Sequence, residues 1–138
     1  MSDQTNHASL LNAADKTLAT LNYAVNLQYL AAQVGFDWPD ITGVVDKIKE
    51  ELNEVIVETS IPDNQHRLHD EMGDLLFACT NLARHLNIDP EQALIAGNRK
   101  FYRRFSKIER LLAQQNKTLS DVSLSQLDQL WEQVKKHD

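Results

Sequence analysis

The chain is short of the residues that break helices and turn strands. Its 138 residues include 4 Gly and 3 Pro. That is too few for the tight turns of a β-sandwich, or for a Pro- and Gly-rich disordered chain. A single cysteine, Cys79, excludes an internal disulfide and suits a reducing compartment. No apolar run approaches the ~20 residues of a membrane span. Met1-Ser2-Asp3-Gln4 does not lead from a basic region into an apolar one. A cytoplasmic protein with no targeting segment and no membrane partner is therefore expected. Positive charge is also scarce, with 14 Lys+Arg against 20 Asp+Glu and a formal net charge of -6. Binders of long nucleic acid carry a basic surplus or stripe, so no nucleic-acid polymer is expected as a partner. An acidic protein that binds a phosphorylated small molecule needs metal ions to neutralise the encounter.

Apolar residues recur at helical spacing along nearly the whole chain, and strict alternation is scarce. The pattern predicts a mobile arm over the first eight residues. Helix one then runs over about 10–34, with a candidate break near Thr20 and Gly35 as its C-cap. Further helices follow over about 40–59, 64–86 and 90–115, and a short last one ends near Lys136. Asp89, Pro90 and Gln92 form a helix-starting signal, and Ser123 with Gln126 forms a capping box. The expected architecture is an all-α antiparallel helical bundle. Residues 1–20 form the arm and the start of helix one, and residues 21–138 form one domain.

Two of these helices carry acidic pairs. Each residue advances about 100° around a helix. Measured from Glu51, the residues Val44, Val55, Ile48, Leu52, Val45 and Ile56 spread over about +20° to +140°. Measured from Glu71, the residues Leu82, Leu75, Leu68, Leu86, Cys79, Met72, Ala83 and Leu76 spread over the same range. Glu51 and Glu71 thus border their apolar stripes, and Glu54 and Asp74 lie about 60° beyond. Packed antiparallel, these four carboxylates converge at one edge of the bundle. Four negative charges repel unless a cation lies between them. Oxygen-only ligands suit Mg²⁺, or else Mn²⁺. A di-iron bundle needs paired Glu-x-x-His motifs, and no Glu here has a His three residues on. The wheel turns Glu50 about 100° from Glu51, away from the stripe. Asn81 shares the face of Asp74, and Phe77 lies well off the stripe, where it suits an intersubunit contact.

On the fourth helix Lys100 borders the apolar stripe and Arg104 falls inside it. An Arg within an apolar stripe needs either a snorkelling route to water or an anion, a carboxylate or a phosphate. Trp131 and Lys135 stand one turn apart on the last helix. The charges balance for a triphosphate site. Two Mg²⁺ offset about -4 from the carboxylates, and Lys100, Arg104 and Lys135 offset most of the about -4 on a nucleoside triphosphate.

Together these residues resemble the MazG family of nucleoside triphosphate pyrophosphohydrolases, in its catalytic C-terminal type of domain. Its pattern, Glu-Glu-x-x-Glu and then Glu-x-x-Asp, reads EELNE at 50–54 and EMGD at 71–74. VGFDWPD at 34–40, GDLLFACTNLARHL at 73–86, KFYRRF at 100–105 and WEQVK at 131–135 also match. The resemblance covers residues 22–138. It implies the all-α NTP pyrophosphatase fold, a homodimer or homotetramer, and Mg²⁺-dependent hydrolysis of an NTP to NMP and pyrophosphate, with nucleotide-pool house-cleaning as the role. By motif, Glu51, Glu54, Glu71 and Asp74 are implied as metal ligands. Glu50 is implied as a carboxylate acting on water, and Lys100, Arg104 and Lys135 as phosphate contacts. Trp131 is implied beside the nucleotide, with Asn81 as a further candidate. Two other readings stand beside this one. They are a narrower pyrophosphohydrolase acting on dCTP or phosphoribosyl-ATP, and a non-catalytic nucleotide-sensing or oligomerising module.

Overall fold

The computed structural model describes residues 8–138. The expected arm falls on residues 1–7, outside them, apart from Ala8. The elements are α1 (Thr20–Gln33), α2 (Ile41–Thr59), α3 (Gln65–His85), α4 (Pro90–Gln114) and α5 (Leu124–Lys136). Short 3-10 turns cover Leu10–Ala13 and Leu119–Asp121, and no strand occurs among the described residues. The all-α expectation holds, and the helix limits agree within a residue or two except at the start of helix one.

There the chain makes a 3-10 turn, unwinds over residues 14–19 and restarts at Thr20. The cause is local. Asp15 Oδ1 accepts hydrogen bonds from Thr17 N at 3.0 Å and Thr17 Oγ1 at 2.5 Å, which closes an Asx turn in place of a helical one. Asn26 Oδ1 accepts from Asp15 N at 2.9 Å and ties this segment to α1.

The other ends follow capping chemistry. Asp40 accepts from Thr42 N at 2.9 Å to start α2, and Asp89 accepts from Glu91 N at 2.9 Å at the start of α4. Ser123 and Gln126 exchange both bonds of a capping box at α5. Gly35, at φ 91°, ends α1, and Phe36 N reaches back to Ala31 O at 3.0 Å. Asn87 and Asn116, both at φ 57°, end α3 and α4 in the same left-handed way.

The chain divides into two compact units, one running to Glu91 and one over Gln92–Asp138. In the first, α3 packs against both α1 and α2. The short connector 60–64 makes α2 and α3 antiparallel neighbours. Gln28 of α1 is buried and donates from Nε2 to Phe77 O at 3.0 Å and to Thr80 Oγ1 at 3.1 Å. Its Oε1 is buried without a hydrogen-bond partner, and nothing in the surroundings accounts for that. In the second unit Ile108, Leu112 and Val134 form a small core, flanked by Leu127, Leu130 and Trp131. No described helix is long and apolar enough to cross a membrane.

The α2–α3 pair buries a different face from the one the wheel implied. The covered side of α2 holds Val44, Ile48, Glu51 and Val55, and that of α3 holds Leu68, Glu71, Leu75, Ala78 and Leu82. Glu51 and Glu71 sit within the packed faces, not at their borders. The far half of each stripe stays exposed, with Leu52, Ile56, Met72 and Leu76 between 44% and 56% accessible. The reason is geometric. One helix partner covers about a third of a helix surface, and these stripes are wider than that.

Candidate active site

The acidic centre grows out of the α2–α3 pairing. Glu51 is 8% exposed, a rare burial for a carboxylate. One oxygen each from Glu51, Glu71 and Asp74 lies within 4.8 Å of the others. Glu71 is half-buried and Asp74 exposed, so the group runs from the helix interface out to solvent. Withdrawal from water pushes the Glu71 carboxyl above its ordinary range, and the charges of Asp74, Glu54, Glu51 and Asp70 push it the same way. Glu54 is exposed and lies outside the close group, but its charge reaches Glu71.

A cation not singled out from the sequence stands beside this group. Lys47 Nζ lies 3.2 Å from Glu51 Oε1 and 3.4 Å from Glu50 Oε1. Glu51 is the main cause that holds the Lys47 ammonium above its ordinary range, and Glu50 adds to it. The i,i+4 spacing of Lys47 and Glu51 was the available signal. Glu50 is exposed and points to Lys47, not into the cluster.

The donor set fits a hard divalent ion. Three carboxylates converge, one of them buried, and the charges of its neighbours add to the effect of desolvation in raising Glu71. One lysine offsets only part of their charge. Among the described residues no imidazole or thiol joins them.

A second polar group links the 34–40 connector to the end of α3. Asp37 Oδ1 accepts from Arg84 at 2.5 Å, from Trp38 N at 2.8 Å, and lies 2.9 Å from His85 Nε2. Arg84 Nε donates to Asn81 Oδ1 at 3.0 Å. The Arg84 guanidinium is the main cause that keeps the Asp37 carboxyl below its ordinary range. A carboxylate so depressed contributes stability above its unfolded pKa of about 3.9, and that contribution is lost as pH falls through the folded value. Asp37→Asn is thus expected to lower the melting temperature near neutral pH, with the deficit closing below about pH 4. Thermal melts across pH check this, and a deficit constant down to about pH 3 would contradict it.

In the second unit Arg104 Nε donates to Asp138 Oδ2 at 2.7 Å, and Arg103 holds both oxygens of Asp138 at 2.8 Å. Arg103 first and Arg104 second keep the Asp138 carboxyl low. The Arg104 guanidinium also lies 5.7 Å from the centre of the Trp131 ring, with Phe101 on that ring at 5.6 Å. Lys100 and Lys135 are exposed and make no ion pair among the described residues. The structure thus brings Arg104 and Trp131 together and leaves both lysines in solvent.

The chain is 42% identical over 132 residues to a nucleoside triphosphate pyrophosphohydrolase of Escherichia coli K12, covering 94% of this chain and 50% of that protein. It is 41% identical over 131 residues to the nucleoside triphosphate pyrophosphohydrolase/pyrophosphatase MazG of Thermotoga maritima, covering 95% and 50%. It is 44% identical over 131 residues to the uncharacterized protein YabN of Bacillus subtilis, covering 95% and 27%. The chain therefore spans about half the length of the two named pyrophosphohydrolases. A family model described as phosphoribosyl-ATP pyrophosphohydrolase matches residues 28–100, a stretch that contains both acidic motifs and the Asp37–Arg84 pair. With that match over more than half its length, the chain belongs to the phosphoribosyl-ATP pyrophosphohydrolase family.

Proposed function

We propose that the protein hydrolyses nucleoside triphosphates to the monophosphate and pyrophosphate with the help of a divalent ion, Mg²⁺ or Mn²⁺. The observation that carries this is the convergence of Glu51, Glu71 and Asp74 within 4.8 Å. The names of the Escherichia and Thermotoga relatives support it. Glu51, Glu71 and Asp74 would hold the ion, with Glu54 beside them as a further ligand. A divalent ion so bound neutralises phosphate oxygens and acidifies a bound water. Lys47, 3.2 Å from Glu51 Oε1, fixes the direction of that carboxylate. Glu50, exposed and paired with Lys47, is the carboxylate proposed to orient a water and take its proton, with Glu54 as a second candidate when it is not a ligand. For the second unit we propose phosphate contact by Lys100, Lys135 and Arg104, and nucleotide contact by Trp131. Both lysines are exposed, and Asp138 engages Arg104 only through Nε in the bond described.

The exposed Leu52, Ile56, Met72, Leu76 and Phe77 support a homodimer or homotetramer that covers them. Sedimentation would give a monomer mass if this part is wrong. Nucleotide-pool house-cleaning in the cytoplasm is the proposed setting.

A second reading follows from the family description, with phosphoribosyl-ATP as the substrate. A panel of NTPs, dNTPs and phosphoribosyl-ATP, with and without Mg²⁺, tests both. Pyrophosphate released from NTPs or dNTPs supports the first reading, and turnover confined to phosphoribosyl-ATP supports the second. Release of orthophosphate alone, or no turnover, would refute both.

A further inference from the structure

Asn81 stands two helical turns beyond Asp74 on α3, and the seven residues between them amount to about 10 Å along the axis. It is half-buried, and its carboxamide is held at one end only. Arg84 Nε donates to Asn81 Oδ1 at 3.0 Å. A guanidinium has donors and no acceptor, so the amide oxygen must face it. The Asn81 NH₂ group is then fixed on the opposite side. It makes no further side-chain hydrogen bond among the described residues.

Arg84 is itself immobilised. Asp37 Oδ1 accepts from it at 2.5 Å, and its side chain is 15% exposed. Asp37 belongs to the connector after α1, and its own orientation is set by the bond from Trp38 N at 2.8 Å. A three-member relay, Asp37 to Arg84 to Asn81, thus holds the amide oxygen and leaves the NH₂ as the free donor of a residue on the helix face that carries Asp74. An oriented donor of this kind recognises an acceptor on a ligand.

From this geometry we infer that Asn81 contacts the base or sugar of the nucleotide through an acceptor atom, and that Asp37 and Arg84 are positioning residues acting through it. The distance selects that part of the substrate. A triphosphate held at Asp74 and lying along α3 would bring its nucleoside, not its phosphates, to a residue about 10 Å further on. The inference rests on the proposed nucleotide reading of the acidic site.

The test is a double-mutant cycle read by calorimetric binding of a non-hydrolysable nucleoside triphosphate, with inorganic tripolyphosphate as the ligand that lacks base and sugar. Asn81→Ala is expected to weaken nucleotide binding about tenfold and leave tripolyphosphate binding unchanged. Arg84→Lys is expected to weaken nucleotide binding about threefold. In the Asn81→Ala background that second loss disappears, because the residue it acts through is gone. If Arg84→Lys does not fold, Asp37→Asn takes its place in the cycle. The inference is overturned if Asn81→Ala binds nucleotide like the wild type. It is equally overturned if tripolyphosphate suffers the same loss, or if the two losses simply add. Wild-type protein that binds nucleotide without hydrolysing it would refute the proposed activity and leave the cycle to decide on Asn81. Wild-type protein that binds no nucleotide would refute both.

Discussion

Asp74→Asn is expected to abolish pyrophosphate release while raising the melting temperature of the metal-free protein. The two effects have one origin. Asp74 stands within 4.8 Å of Glu51 and Glu71, where three carboxylates repel one another when no cation lies among them. Removing one charge relieves that repulsion, and the melt should rise by about 1–3 °C. The same change removes an oxygen ligand and a charge on which a divalent ion depends. Activity should fall about a thousandfold. Glu51→Gln should lose activity to the same degree without the thermal gain. Glu51 is buried and bonded to Lys47 at 3.2 Å, so neutralising it strips a partner from a cation as well as easing repulsion. Melting curves with excess chelator and a pyrophosphate assay check both variants. A functional Asp74→Asn enzyme would remove Asp74 from the site.

Leu112→Ala is expected to cost about 3 kcal/mol, the range for truncating a fully buried leucine. Leu112 is 2% exposed and packs with Ile108 and Val134, so truncation removes buried apolar contacts and opens a cavity in this core. The melting temperature should fall by about 10 °C. Trp131 flanks this core, and Arg104 rests on its ring. The variant should therefore bind nucleotide more weakly at temperatures where it is still folded. Calorimetry of unfolding checks the first effect. A shift below about 2 °C would show that this core contributes little to stability.

Much of the fold was legible because local chemistry sets helix ends. Asp40, Asp89, Ser123 with Gln126, and Gly35 each act within a few residues of themselves. The sequence offered a break near Thr20, where α1 does restart, but not the length of the unwound stretch over 14–19. A helical apolar pattern continues across it, and the Asx turn of Asp15 and Thr17 overrides that pattern. Part of the acidic site was legible for the same local reason, since i,i+3 spacing puts Glu71 beside Asp74. Which side of each helix meets its neighbour is a tertiary fact. The wheel showed a wide stripe, but only packing decided that Glu51 and Glu71 lie inside the contact and that Leu52 and Leu76 do not. Asp37 and Arg84 lie 47 residues apart in the chain, and no spacing rule relates them. For Arg104 the sequence left open an anion or a route to water, and the structure supplies Asp138.

Titration with Mn²⁺, followed by electron paramagnetic resonance of the free ion, reports on the acidic cluster without relying on turnover. Wild-type protein should deplete free Mn²⁺ in a saturable way. Protein carrying Glu51→Gln, Glu71→Gln and Asp74→Asn together should leave it free over the same range. Equal depletion by both proteins, or none by the wild type, would contradict a divalent-ion site built from these three carboxylates.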